Sequence, residues 1–270
     1  MTNQDTNSFD NLRGEMENSD NESQAAITNS CKNQQKAFER AAEGIICGGS
    51  ACSGDSSPFG GEIRNLEEWA RSQTVLIPDE GIESLDLISN TTSEHQVFFR
   101  KSDSRAVKRT LAGVYGQIPV PENGYLGRRN AFPSEYFKRM SLQLAVFGGD
   151  IRLEGVTISD KPSFIIGEPV GQPSVVISQR WYEKSGVATT EAIDDFLVQE
   201  GFRPVAASYY GWYRPVDRVV IVDAKPDNFI QTSAGLVPID LQMVQFDEEQ
   251  MIQAGLVNAQ DDPVIYIPRN

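Results

Sequence analysis

Residues 219–242, VVIVDAKPDNFIQTSAGLVPIDLQ, alternate short apolar runs with turn-forming residues, which limits this region to brief strands joined by tight loops. Val219–Val222 has the β-branched composition of a buried strand. Asp223, Pro226 and Asn228 then stop it with residues that favour turns. Phe229 and Ile230 resume the apolar pattern, and Ala234-Gly235 is able to reverse the chain before Leu236. The β texture begins at about Ile82. HQVFFRKSDSRAVKRT reads as a hairpin, and IRLEGVTI and PSVVISQRW read as strands. Two helical patterns interrupt them. One begins near Ser134, a candidate cap, with Tyr136, Met140, Leu144 and Phe147 at helical spacing. The other is TTEAIDDFLVQEGF, with Thr190 as candidate cap and Gly201 as stop. Strands and helices mixed in this order predict an α+β fold with two lobes.

The N-terminal stretch has a different character. Its first 58 residues hold only two aromatics, Phe9 and Phe38, and the first 30 are mostly Asn, Ser, Asp, Glu, Thr and Gln. Such a composition buries too little apolar surface to offset the entropy of ordering. Residues 1 to about 33 are therefore expected to be disordered, followed by a short helix over QQKAFERAAEGIICGG and a linker, SGDSSPFGG. NLEEWARSQ reads as a further helix start, with Asn65 as its cap. On this reading residues 1–60 are a tail and residues 61–270 the folded domain.

A formal net charge of −14 and a pI near 4.6 argue against general nucleic-acid binding, which needs a basic surface to neutralise phosphates. One segment runs the other way. Between Glu94 and Arg139 there are nine Lys or Arg against four Asp or Glu, either a solvated mixed-charge face or a phosphate-facing lobe. No apolar run is long enough to cross a membrane, and no secretion signal opens the chain. Three cysteines, Cys31, Cys47 and Cys52, and a single histidine, His95, fit a reducing cytoplasm and make a zinc site improbable.

DAKPDN carries the chemistry. Asp223, Lys225 and Asn228 stand at the offsets of a protein-kinase catalytic loop, Asp followed at +2 by Lys and at +5 by Asn. A hairpin turning at Ala234-Gly235 would bring Asn228 and Asp240 to the same end, an amide and a carboxylate able to ligate Mg²⁺. Asp223 would then orient an acceptor hydroxyl, and Lys225 would offset charge on the transferred phosphoryl group. Upstream, Lys108 ends the apolar strand of SRAVKRT, as the phosphate-pairing lysine of kinases does. It needs a carboxylate to hold it: Glu135 at the start of the following helix, or alternatively Glu154. Composition alone reads Asp223–Asn228 as a plain hairpin turn and Glu135 as an acid at a helix N-terminus.

Taken together, SEHQVFF, AVKRT, VYG, FPSEYFKRM, FGGDIRLEGV, VVISQ, VVIVDAKPDNF and GLVPIDLQM resemble the kinase-like domain of polyvalent proteins of phages and mobile elements, over roughly residues 65–250. The resemblance implies a protein-kinase-like fold that uses ATP and Mg²⁺. Its N-lobe would be about 82–178, its hinge 178–186 and its reduced C-lobe 187–270. It implies nucleotide contacts from Ser93, His95, Val97, Ile177 and Gln179, besides Lys108 and its acid partner. Departures from the pattern are plain. NTTSEHQV lacks the glycines of a phosphate-covering loop, Val222 stands where many kinases have Arg, and Leu241-Gln242 replace Phe-Gly. Only 30 residues follow Asp240, so a substrate platform is expected from a partner chain, unless the acceptor is small. Phosphotransfer to a hydroxyl, as of protein Ser or Thr, is the leading expectation. A pseudokinase, binding nucleotide or a protein partner without turnover, is the alternative.

Overall fold

The computed structural model describes residues 6–47, 58–89, 94–159, 171–206, 208 and 210–257, with side chains from Ala26 onward. A long helix, α1 (Thr6–Cys47), is followed by α2 (Pro58–Ser72), a short α3 (Asp79–Glu83) and strand β1 (Asp86–Ser89). Next come β2 (His95–Arg100) and β3 (Arg105–Thr110), then β4 (Gln117–Glu122) and β5 (Tyr125–Asn130). Helix α4 (Pro133–Phe147) precedes β6 (Arg152–Ile158) and β7 (Pro173–Arg180). The second half runs α5 (Thr190–Gln199), β8 (Arg203–Pro204), β9 (Trp212–Arg214) and β10 (Val219–Val222). A single 3₁₀ turn over Pro226–Asn228 leads to β11 (Phe229–Thr232), β12 (Gly235–Pro238), β13 (Gln242–Gln245) and α6 (Glu248–Gln253). The fold is α+β, with antiparallel sheets throughout.

Five strands form the first sheet in the order β1-β2-β3-β7-β6. Register places Val97, Lys108 and Ile177 in one cross-strand row and Phe99, Ala106 and Gln179 in the next. Because strand side chains alternate, these rows share a face, and the intervening Phe98, Val107 and Ser178 point to the other, as does Val176. The second face closes on Ile82, with Arg109 held between Gln96 and Asp79. On the first face, Val175 and Ile177 pack under α4 against Tyr136, Phe137 and Met140. A second core gathers Ile193 and Leu197 of α5 with Trp212, Val219, Ile221, Phe229, Leu241 and Met243. Helix α4 touches both cores, because Leu142, Val146 and Phe147 on its far side lean against the second.

Several sequence expectations change at this level. The short helix expected from Gln34 is the C-terminal part of α1. Phe38, Ala41, Ala42 and Ile45 recur at i, i+3, i+4 and i+7 and are fully buried against the α4 core. The boundary at residue 61 therefore does not divide tail from domain, since α1 supplies one wall of the first core. Cys31 belongs to that wall: its thiol donates to the Leu144 carbonyl at 3.7 Å, and burial pushes its pKa up. Asn65 lies inside α2 rather than capping it, and its amide donates to the Ile45 carbonyl at 2.9 Å, tying α2 to the end of α1. Ser134 is not the cap of α4. Phe132 takes that position, and Glu135 closes the first turn by accepting its N–H at 2.8 Å. Thr189 rather than Thr190 caps α5, accepting from the Ala192 N–H. The β4–β5 hairpin, turning at Asn123-Gly124, was not anticipated, although Asn-Gly flanked by strand residues is a strong hairpin signal.

Candidate functional site

Between the two cores lies a cleft of about 1040 Å³. From the first sheet it is lined by His95, Val97, Lys108 and Gln179, and at its edge by the extended segment Arg180–Lys184. From the second half come Asp223, Lys225, Asn228 and Asp240. Eight of the residues singled out from the sequence thus converge on one cavity. Ile177, next to Lys108 in its row, is buried beneath α4 and does not line the cleft. Ser93 and the rest of the loop from residue 90 lie outside the described residues.

The hairpin geometry explains why Asn228 and Asp240 meet. Phe229 pairs with Pro238, and the Ile239 N–H donates to the Asn228 carbonyl at 3.0 Å, so the two strands deliver both residues to one end. The Asn228 amide donates to the Asp223 carbonyl at 2.7 Å and to the Asp223 carboxylate at 3.0 Å. With both N–H donors used, its oxygen is the atom left to accept or to ligate a cation. Asp223 itself has φ of 63°, a left-handed conformation that costs a non-glycine residue roughly 1 kcal/mol or more. The Asn228 bonds and a Lys225 N–H to its carbonyl, 2.8 Å, hold it there. Lys225 Nζ lies 3.2 Å from one Asp223 oxygen and Arg128 Nη1 lies 3.7 Å from the other.

Neither expected acid holds Lys108. Glu135 is drawn to the first turn of α4, where Arg129 grips it through two bonds of 2.6 and 2.7 Å. Glu154 joins Ser178 and Arg100 on the opposite face of the sheet from Lys108. Lys108 instead donates to the Ile239 carbonyl at 2.6 Å, and its charge acts on Asp240. Burial works against the Asp240 carboxylate, but the Lys108 ammonium, with Arg139 and Lys225, outweighs it and holds the pKa below the usual carboxylate range.

Behind Asp240 lies a buried network that the sequence did not reveal. Glu94 forms a close pair with Arg139 of α4, and His95 Nε2 lies 3.0 Å from the Tyr136 hydroxyl. His95 Nδ1 is 3.8 Å from Asp240. Burial lowers the His95 pKa despite the nearby Glu94 and Asp240, so the ring is neutral at neutral pH. Gly116 makes room for Glu94: a Cβ there would collide with the carboxylate, and its φ of 74° already favours glycine. Glu94, His95 and Asp240 could share a cation, as one ligand atom from each lies within 4.8 Å of the others. Glu94 is already paired with Arg139, and the Lys108 charge acts on Asp240. The missed signal was in α4: Arg139 and Gln143 fall at i+3 and i+7 from Tyr136, charged and polar side chains on an apolar helical face.

No protein-family model, curated protein or solved structure matches the chain.

Proposed function

We propose that the protein is a phosphotransferase that uses ATP with Mg²⁺ and transfers the γ-phosphoryl group to a hydroxyl, as of a protein serine or threonine. The observation that carries this reading is the convergence of Lys108, Asp223, Lys225, Asn228 and Asp240 on one cleft. A second supporting feature is the topology, a five-stranded antiparallel sheet in which one helix, α4, stands between the lysine strand β3 and the strands β6 and β7. That arrangement agrees with a kinase N-lobe, followed by a reduced C-lobe of short strands and α5.

In this proposal ATP supplies the phosphoryl group, and Mg²⁺ neutralises charge on the phosphates. Oxygens of Asn228 and Asp240 suit that hard cation. Lys108 sits where its ammonium can meet the phosphates, while Gln179 and the segment after it, with Trp181, offer hydrogen bonds and an aromatic surface to a base. Asp223 receives the acceptor's proton as the acceptor oxygen bonds to the γ-phosphorus and the bond to the leaving ADP oxygen breaks. Lys225, beside Asp223, offsets the charge on the group in transit. Isothermal titration with ATP tests the reading. Binding should require Mg²⁺ and should lose most of its affinity in Asp240→Asn, with the melting temperature kept. Mg²⁺-ATP affinity equal in parent and variant would remove Asp240 from the metal site. No binding at all by the parent would end the reading.

A further inference from the structure

The β4–β5 hairpin does not stay with the first sheet. It reaches across to the second half, where the Gly124 N–H donates to the Gln253 carbonyl at 2.9 Å. Leu126 packs there beside the cluster of Val205, Tyr213, Val220, Phe246 and Met251. This docking carries Arg128 to the rim of the cleft, 3.7 Å from Asp223. Lys225 occupies the other oxygen of that carboxylate, so a single negative charge faces two cations.

The two consecutive arginines of the hairpin differ sharply. Arg129 is engaged by Glu135 through two hydrogen bonds. The Arg128 side chain makes no hydrogen bond among the described residues, and its contact with Asp223 is longer than one. Its side chain is 39% exposed. A guanidinium offers five N–H donors in a planar fork matched to carboxylate or phosphate, and here those donors stand beside the group that would orient the acceptor hydroxyl. An unengaged guanidinium at that point would attract an anion on the acceptor and repel a cation.

We propose that Arg128 is an acceptor-recognition residue, binding an anionic side chain, carboxylate or phosphate, that flanks the serine or threonine to be modified. The proposal rests on the phosphotransferase reading and adds to it the substrate class. It also gives the acceptor part of a platform from within the chain, on the docked hairpin.

The test uses three peptides of equal length with one serine each, flanked by Glu, by phosphoserine or by Gln, and the full chain with Mg²⁺-ATP. The parent should phosphorylate at least one anionic peptide with kcat/KM about tenfold or more above the Gln peptide, a typical effect of one charge-assisted contact. Transfer to the Glu peptide alone assigns a carboxylate, and to the phosphoserine peptide alone a phosphate. Arg128→Gln should abolish the preference mainly through KM, and Arg128→Glu should invert it against a fourth peptide carrying Lys. A merely structural arginine would change all peptides alike. Equal use of the peptides by the parent, or an anionic preference that survives Arg128→Glu, overturns the proposal. So does hydrolysis of ATP above the Asp223→Asn background with no transfer to any peptide. Neither hydrolysis nor transfer overturns the phosphotransferase reading beneath it.

Discussion

Lys108 Nζ lies 2.6 Å from the carbonyl oxygen of Ile239, the residue immediately before Asp240. The lysine of the first sheet is thereby tied to the backbone that presents the proposed metal carboxylate, across a sequence separation of 131 residues. The bond closes the cleft from one core to the other. It also puts positive charge where it depresses the Asp240 pKa.

Lys108→Ala should therefore weaken Mg²⁺-ATP binding by about tenfold, or ~1.4 kcal/mol. The loss should couple to Asp240→Asn and not to Glu135→Ala. Double-mutant cycles on the dissociation constant check this, with residues that share no partner adding within about 0.5 kcal/mol. Coupling between Lys108 and Glu135 instead would mean that the helix rearranges when nucleotide binds.

The Glu94–Arg139 pair is buried, with the Arg139 side chain only 1% exposed. Arg139→Met leaves the Glu94 charge without its partner and should cost about 3–5 kcal/mol in urea unfolding. Adding Glu94→Gln to that variant should restore much of the loss. If Arg139→Met alone melted like the parent, the pair would not be the buried, mutually dependent unit described.

His95 is the only histidine in the chain, so one resonance reports it. Its folded pKa is depressed, first by burial, with Lys108 and Arg139 adding to the effect and Glu94 and Asp240 opposing it. Above the unfolded value of about 6.5 both states are neutral and the shift has no effect on stability. As pH falls below that value the unfolded chain takes up a proton that the folded chain refuses. Stability should then decline by up to ~1.4 kcal/mol per pH unit until the folded pKa is reached. Denaturation at pH 7, 6 and 5 measures the slope, and His95→Phe should flatten it through that window. An imidazole that titrates by NMR at or above its ordinary value would contradict the assignment.

Phe38 tests the role of α1. Truncating this fully buried ring to Ala should cost about 3–5 kcal/mol, and removal of residues 1–57 should expose the α4 core. Removal of residues 1–25 alone should leave the melting temperature unchanged. A normal melting curve after the longer deletion would return α1 to the status of a tail.

The residues that line the cleft were more legible in the sequence than their supports, for a physical reason. Asp223, Lys225, Asn228 and Asp240 are close along the chain, and a hairpin alone dictates their meeting. Val97, Lys108 and Gln179 could be placed because strand periodicity assigns them to one face. Partners set by long-range packing were not legible. The Glu94–Arg139 pair, 45 residues apart, is such a case, whereas Glu135 is claimed locally, by capping and by Arg129 six residues away. Composition assigned the helix over QQKAFERAAEGIICGG to a tail, although Phe38, Ala41, Ala42 and Ile45 fall on one face and join the first core. The crossing of the β4–β5 hairpin to the second core, which brings Arg128 to Asp223, left no local signal at all.

Phosphate release and transfer by Asp223→Asn, compared with the parent at saturating Mg²⁺-ATP, tests the central claim most directly. In the proposed reaction Asp223 acts on the acceptor rather than on ATP, so removing its charge should spare nucleotide affinity and damage turnover. The variant should bind Mg²⁺-ATP within about threefold of the parent and lose at least about two orders of magnitude in transfer or slow hydrolysis. A parent that binds Mg²⁺-ATP yet turns over no faster than Asp223→Asn, with cell lysate supplied as acceptor, would contradict it and leave a nucleotide-binding cleft without catalysis.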